Sequence, residues 1–280
     1  MRLLFLLLSF LPIAIAEAII RKTLNIRIFK RLIKRTSFYK ISLANLSNCF
    51  RGKSKIDIED IALKSTIESI ISLYETVYSW SRSEACISQL VFKQENRFML
   101  QDKSPKLVYS LHNRSIDLLL SFFTLQNSAT ILYKTIKNNS LNNYVIKRRS
   151  KNNSSVATAS IGGVKAVIKS LKANKDVCFA SDQVPPHGLG VNSYLFNNIC
   201  YSSSLVESIS SRDNINTCFV YLTKNMFGYV VSCNNLSGQP VTTNLMNKVF
   251  EEAIILKPEE YAWEYKKFRR IPENKDWYIF

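Results

Sequence analysis

The stretch from Leu107 to Phe123 reads Leu-Val-Tyr-Ser-Leu-His-Asn-Arg-Ser-Ile-Asp-Leu-Leu-Leu-Ser-Phe-Phe. Its first five residues are apolar except for one serine, which predicts a short buried strand that ends at His112. The apolar run after Asp117 predicts a helix. A strand that leads through a short polar turn into a helix is the unit from which α/β folds are built. The stretch therefore favours an α/β protein.

The same alternation of strand and helix continues to the end of the chain. Runs rich in β-branched and aromatic residues predict strands at Lys106–Leu111, Thr130–Tyr133, Val177–Ala180, Thr217–Leu222 and Tyr229–Cys233. Helical patterns lie between and after them, at Ile116–Leu125, Ser140–Lys147, Gly162–Lys172, Ser203–Ser210 and Thr242–Leu256. We expect residues 105–280 to form one α/β/α layered domain with a mixed sheet. The polar run Lys147–Ser155 predicts a surface loop.

The N-terminal residues 1–22 are predicted to be a membrane anchor in the form of a hydrophobic helix. The run from Leu3 to Ile20 is apolar except for Ser9, Pro12 and Glu17, and basic residues are concentrated after it rather than before it. This asymmetry favours retention of the following segment in the cytoplasm. The run has about 18 residues where about 20 normally span a bilayer, so spanning and lying in the interface both stay open.

Residues 23–104 are expected to be a basic interfacial helix followed by a helical region. Leu24, Ile28 and Leu32 recur at helical spacing among arginines and lysines, which is typical of a helix that lies on anionic lipid. Ser54 and Asp57 have the spacing of a helix N-terminal capping pair, and an amphipathic pattern follows as far as Val77.

Composition narrows the classes of function. The net charge of +17 and a pI near 9.6 indicate an anionic partner. The chain is also rich in Asn, Lys and Ile, as AT-biased coding produces, so part of this charge is weak evidence for a partner. Nucleic acid would suit the charge but not the apolar run before the basic helix. Seven glycines, without a P-loop or dinucleotide fingerprint, disfavour nucleotide binding. Two histidines and six scattered cysteines disfavour a zinc site, and the cysteines are expected to be reduced core thiols.

His112 and Asp117 are the candidate catalytic pair. A carboxylate that accepts a hydrogen bond from one imidazole nitrogen fixes the tautomer and stabilises imidazolium, while the other nitrogen takes a proton from an attacking hydroxyl. Strand ends in α/β folds are where ligand sites gather. Taken alone, a histidine and an aspartate with four residues between them are more often structural, so the interpretation depends on the surrounding segments.

Those segments resemble the lipid A biosynthesis lauroyl/myristoyl acyltransferase family, within the lysophospholipid acyltransferase superfamily. The resemblance covers nearly the whole chain, in order, and includes a closing segment of Pro-Glu-x-Tyr-x-Trp type that is followed by basic residues and phenylalanine. The matching segments are Ser42–Leu46 with Cys49 and Phe50, Tyr133 and Lys134, Asn138, Arg149, Gly162 and Gly163, Ser181–Gln183, Met246–Glu251, and Lys257–Arg270.

The resemblance implies transfer of a fatty acyl group from acyl carrier protein to a hydroxyl of a phosphorylated lipid A precursor of the Kdo-lipid IVA type. It implies that His112 is the base and Asp117 its orienting group. Arg149, Asp182 and Lys134 are expected to bind substrate, although Arg149 could be a loop arginine and Asp182 a turn cap. No cofactor or metal is required. The expected location is the bacterial inner membrane, with the catalytic region on the cytoplasmic side and anionic lipid as a partner.

The chain departs from the family pattern at several positions. Asp117 replaces the commoner glutamate, Asn-Arg-Ser-Ile fills the space after His112, and Lys134 stands in place of arginine. Two alternatives therefore stay open. The acceptor could be a phospholipid or another glycolipid, with acyl-CoA or acyl carrier protein as donor. The chain could also be a catalytically degenerate, basic membrane-binding homologue.

Overall fold

A mixed seven-stranded sheet forms the centre of the protein in the computed structural model, which describes residues 5, 7, 9–96, 104–212 and 215–280, apart from the side chain of residue 275. The strands of this sheet are β1 (Val91–Glu95), β2 (Lys106–Ser110), β3 (Ala129–Tyr133), β4 (Ser155–Thr158), β5 (Asp176–Ala180), β8 (Asn216–Asn225) and β9 (Gly228–Asn235), in the order β1-β9-β8-β2-β5-β3-β4. A separate antiparallel pair contains β6 (Gly190–Leu195) and β7 (Asn198–Ser203).

Helices precede and connect these strands. They are α1 (Ile13–Leu24), α2 (Arg27–Arg35), α3 (Ser37–Cys49), α4 (Lys55–Ser81), α5 (Glu84–Ser88), α6 (Ile116–Gln126), α7 (Asn139–Arg149), α8 (Ile161–Lys172), α9 (Leu205–Ser210) and α10 (Thr243–Leu256), with short 3-10 segments at Pro258–Glu260 and Pro272–Tyr278. The predicted N-terminal capping pair is confirmed, because the Ser54 side chain accepts a hydrogen bond from the Asp57 amide at the start of α4.

Both faces of the sheet are covered, as an α/β/α arrangement requires. Side chains alternate along a strand, so Leu107 and Tyr109 of β2 enter one hydrophobic cluster and Val108 enters the other. The first cluster packs against α3, α4, α8 and α10, and the second packs against α6. The predicted α/β class with a mixed sheet is therefore confirmed.

The parallel part of the sheet brings the ends of separate strands to one edge. Strands β2, β5, β3 and β4 are parallel neighbours, so their carboxyl ends lie at the same edge. His112 follows β2, Lys134 follows β3, and Asp182 follows β5. Residues far apart in sequence thus gather where ligand sites form in such folds.

The predicted hydrophobic helix over residues 1–22 is not supported as a spanning element. Of the helices that the structure describes, none has the length and hydropathy needed to cross a membrane. Helix α1 begins after Pro12 and has 12 residues, which at about 1.5 Å per residue falls short of a bilayer core of about 30 Å. Residues 1–4, 6 and 8 of the predicted anchor lie outside the described residues.

Close packing at the start of α8 explains one of its two adjacent glycines. A Cβ added to Gly163 would lie 1.7 Å from the carbonyl oxygen of Thr158, whereas the nearest atom to one on Gly162 would be the Ser160 hydroxyl at 3.8 Å. The helix can approach the end of β4 only because position 163 has no side chain.

We expect Gly163→Ala to destabilise the protein by about 1–3 kcal/mol or more, because backbone atoms must shift to admit the methyl group. Gly162→Ala is the matched control, and its effect should be neutral or stabilising by about 0.4–1 kcal/mol. Denaturant unfolding of both variants measures the difference. Equal unfolding midpoints for the two alanine variants would contradict this packing.

Candidate active site

The side chain of His112 is held by the carboxylate of Asp182. The imidazole Nδ1 lies 2.7 Å from Asp182 Oδ1, and the backbone amide of His112 donates to Oδ2 of the same carboxylate at 3.1 Å. Both residues directly follow neighbouring parallel strands, β2 and β5, and Asp182 is buried. The sheet register therefore fixes the position of this pair.

His112 and Asp182 each shift the pKa of the other in the direction that favours the charged form. Burial tends to lower the pKa of His112, but the charge and hydrogen bond of Asp182 outweigh it, and Glu264 and Asp117 add to the effect, so the pKa is raised above 6.5. Burial tends to raise the pKa of Asp182, but His112 outweighs it and the pKa is lowered. Asp182 is thus an ionised acceptor near neutral pH.

The other imidazole nitrogen, Nε2, is not bound by Asp182. An ionised carboxylate can only accept, so Nδ1 carries a proton, and in the neutral imidazole Nε2 holds the lone pair of the ring. The Gln183 amide nitrogen lies 3.3 Å from Nε2, and the His112 side chain is 29% exposed. His112 can therefore accept a proton from an incoming group through Nε2.

The hypothesis that Asp117 orients His112 is wrong in its geometry. Asp117 instead forms a two-pronged ion pair with Arg149, with Nε to Oδ1 at 2.7 Å and Nη2 to Oδ2 at 2.8 Å. Its carboxylate still acts on His112 through its charge. Asp182, which was expected to bind substrate or cap a turn, occupies the place predicted for Asp117.

Helix positions explain this exchange of partners. Ser115 caps α6, so Asp117 lies in the first turn of that helix. Arg149 is the last residue of α7 rather than part of a loop, and its guanidinium also lies 5.5 Å from the centre of the Tyr133 ring. A planar guanidinium fits a carboxylate with two parallel hydrogen bonds, which fixes both groups.

Lys134 is exposed immediately after β3, at the same edge of the sheet as His112 and Asp182. The structure therefore pairs His112 with Asp182 and Arg149 with Asp117, with both aspartates buried, and leaves Lys134 exposed at the same edge of the sheet.

Sequence reasoning missed two further neighbours of His112. Glu264 acts on the His112 charge and accepts a hydrogen bond from Ser69 at 2.8 Å, and its burial raises the pKa of Glu264. Gln183 was noted only as part of a motif with Asp182. The position of Gln183 directly after Asp182, near the end of a strand, could have indicated that it lies in the site. Nothing in the local sequence indicated that Glu264 would lie near His112.

We expect Asp182→Asn to lower the pKa of His112, because it removes the negative charge that raises that pKa. Asp117→Asn should lower it less, since Asp117 contributes a smaller part. Histidine NMR titration measures both changes, and His187→Gln assigns the signals because the chain has two histidines. If Asp117→Asn had the larger effect, Asp182 could not be the main partner.

Comparison with known proteins identifies the family of the chain. The family of bacterial lipid A biosynthesis acyltransferases matches residues 2–270. The lipid A biosynthesis lauroyltransferase of Escherichia coli (strain K12) is 24% identical over 87% of this chain and 82% of its own length. The lipid A biosynthesis palmitoleoyltransferase of the same organism and the lipid A biosynthesis acyltransferase of Shigella flexneri are each 22% identical, over 83% of this chain and 79% of theirs. The chain therefore belongs to the bacterial lipid A biosynthesis acyltransferase family.

Proposed function

We propose that the protein transfers a fatty acyl group from the thioester of acyl carrier protein to a hydroxyl group of a lipid A precursor of the Kdo-lipid IVA type. The observation that carries this proposal is the 2.7 Å contact of His112 Nδ1 with Asp182, which leaves Nε2 as an acceptor. Family membership supports the acyl-transfer chemistry and the lipid A substrate class.

In the proposed reaction, Nε2 of His112 takes the proton of the acceptor hydroxyl. The oxygen of that hydroxyl attacks the thioester carbonyl at the same time. Asp182 stabilises the imidazolium that forms. The tetrahedral intermediate then expels the carrier thiolate, which takes the proton back from Nε2. The products are an ester and a free thiol, and the histidine returns to its starting state.

Arg149 is proposed to stabilise negative charge on the attacked carbonyl oxygen or to bind an anionic group of a substrate. Its side chain is 14% exposed, and Asp117 fixes the guanidinium through Nε and Nη2. Donors that are already oriented stabilise developing charge without reorganisation. The Gln183 amide, which faces Nε2, is a second donor that could turn towards the same oxygen when the acceptor hydroxyl binds.

Charge supports the proposed pair of substrates. Both a phosphorylated lipid and acyl carrier protein are anionic, and the chain has a net charge of +17. Lys134, exposed at the sheet edge that also holds His112, is proposed to contact a substrate phosphate. Acyl-CoA, the alternative donor, is anionic too, so charge alone does not distinguish the donors.

His112→Ala should lower the rate of acyl transfer by about 10²–10⁴-fold, because the general base is lost. The measurement is transfer of a labelled acyl group from acyl carrier protein to a tetraacylated lipid A precursor by purified membranes. His187→Ala is the matched control, since this second histidine is exposed and lies outside the site.

Equal transfer by wild type and His112→Ala would contradict the mechanism. Absence of transfer by wild type with either acyl carrier protein or acyl-CoA as donor would favour the degenerate homologue. Transfer with acyl-CoA but not with acyl carrier protein would contradict the proposed donor.

The protein is further proposed to act at the cytoplasmic side of the bacterial inner membrane, bound to anionic lipid. Ile15 and Ile19 of α1 and Ile28 and Leu32 of α2 are each at least half exposed. Lysines and arginines lie among and after them. Apolar side chains interspersed with cations suit the headgroup region of an anionic leaflet.

The turn between β8 and β9 extends this surface. Met226 is 89% exposed, and the ring of Phe227 stacks on Phe92 at 5.2 Å. An ion pair of Lys224 with Glu17 holds the turn beside α1. A second copy of the chain is a poorer partner for this surface than anionic lipid, because two basic surfaces repel one another.

We expect the double variant Met226→Asp/Phe227→Asp to bind vesicles with anionic lipid more weakly than wild type, since carboxylates are repelled by the leaflet and resist burial. Val191→Asp, at an exposed position of the separate β6–β7 pair, is the control and should bind as wild type does. Vesicle flotation at low salt gives the comparison. Unchanged binding of the double variant would exclude the turn from the membrane surface.

A further inference from the structure

The segment Glu260–Lys267 lies between the loop that follows β2 and the loop that follows β5. It belongs to the closing segment of Pro-Glu-x-Tyr-x-Trp type and the basic residues that follow it. Lys267 is only 2% exposed, and Tyr261 and Trp263 are buried with it. Burying an ammonium group is strongly unfavourable unless it has hydrogen-bond partners, and Lys267 has two of them beside the site.

One end of this segment holds the loop that carries His112. The backbone amide of Ala262 donates to the carbonyl oxygen of His112 at 3.0 Å, and the amide of Arg114 donates to the carbonyl oxygen of Glu260 at 2.9 Å. These two hydrogen bonds pair the segment with the loop on both sides of Asn113, like a short piece of antiparallel sheet.

The other end holds the loop that carries Asp182. The Lys267 ammonium donates to the carbonyl oxygen of Asp182 at 2.7 Å and to the Ser202 hydroxyl at 3.1 Å. The backbone amide of Val184, two residues after Asp182, donates to the Tyr265 hydroxyl at 2.9 Å. The segment therefore contacts both members of the catalytic pair through their backbones.

We propose that Lys267 is a positioning residue for the acyl-transfer reaction, and that its ammonium group holds the Asp182 backbone where the carboxylate meets His112 Nδ1. A charged donor makes stronger hydrogen bonds than a neutral one, and a buried charge cannot exchange its partners for water. The Asp182 carbonyl is thus fixed to β7 through Ser202, while the His112 loop is fixed to the same segment. This role rests on the proposed function, but its effect on His112 can be measured without turnover.

The pKa of His112 distinguishes positioning from a simple effect of charge. Removing a nearby cation would by itself raise the pKa of His112. Displacing the Asp182 carboxylate would lower it, because Asp182 is what raises that pKa. The two explanations therefore predict opposite signs.

The test compares Lys267→Met with Lys266→Met in the full-length chain. Methionine is an unbranched side chain one atom shorter than lysine and cannot donate a hydrogen bond. Lys266 is a neighbouring, partly exposed lysine whose ammonium lies over the Tyr278 ring. We expect Lys267→Met to lower the pKa of His112 in NMR titration and to lower kcat on the order of 10–100-fold with little change in KM. Lys266→Met should change neither quantity.

An unchanged or raised His112 pKa in folded Lys267→Met would overturn the proposal. If that variant does not fold, Ser202→Ala removes one acceptor of the ammonium and should lower the His112 pKa in the same direction by less, and no change there would also overturn it. A wild type that transfers no acyl group would refute the proposed function, yet the titration would still decide whether Lys267 positions Asp182.

Discussion

The guanidinium of Arg114 is the group on which the arrangement of this site depends. It is 5% exposed and is paired with Glu75 and, at 3.1 and 3.2 Å, with Glu68 and Glu260. Tyr229 adds a hydrogen bond to Glu75 at 2.7 Å. The backbone of Arg114 is left-handed, with φ 54°, a conformation that a non-glycine residue holds only where its surroundings impose it. Two residues after His112, the chain is therefore locked to α4, β9 and the C-terminal segment.

Further ion pairs connect the carboxylates around Arg114 with the helix and the turn that are proposed to contact the membrane. Arg21 of α1 pairs with Glu68, and Lys224, at the turn of β8 and β9, pairs with Glu17. A cavity of about 480 Å³ lies among these groups and is lined by both signs of charge. Since five of the six cations that line it form ion pairs with carboxylates, the exception among the described residues being Lys30, the cavity is better understood as part of a balanced network than as a phosphate site. The elements proposed to touch lipid are thus linked through ion pairs to the loop that carries His112.

The strands that the sequence predicted best are those that are buried on both faces. Strands β2 and β8 are buried on both faces, so they appear as continuous apolar runs, and both were predicted within a few residues. Strands β1 and β4 lie at the edges of the sheet and hold polar, partly exposed residues. The β6–β7 pair lies outside the main sheet. None of these was predicted, because these short strands contain many polar residues and show neither a continuous apolar run nor a regular apolar–polar alternation.

The sequence did not predict how the candidate site residues pair, which is His112 with Asp182 and Asp117 with Arg149. Parallel strands bring distant residues to one edge, so His112 and Asp182 meet although 70 positions separate them. Local spacing instead favoured Asp117, five positions away. An aspartate is one methylene shorter than the glutamate common in the family, and at the start of α6 its carboxylate meets Arg149.

The two pairs suit the proposed acyl transfer. Asp182 orients the proposed base, and Asp117 fixes the guanidinium of Arg149. Had Asp117 paired with His112, the guanidinium of Arg149, which is only 14% exposed, would lack its carboxylate, and a largely buried charge without a partner is unfavourable. The unusual residues after His112 therefore do not by themselves indicate a lost activity, because the carboxylate that the base requires comes from the neighbouring strand.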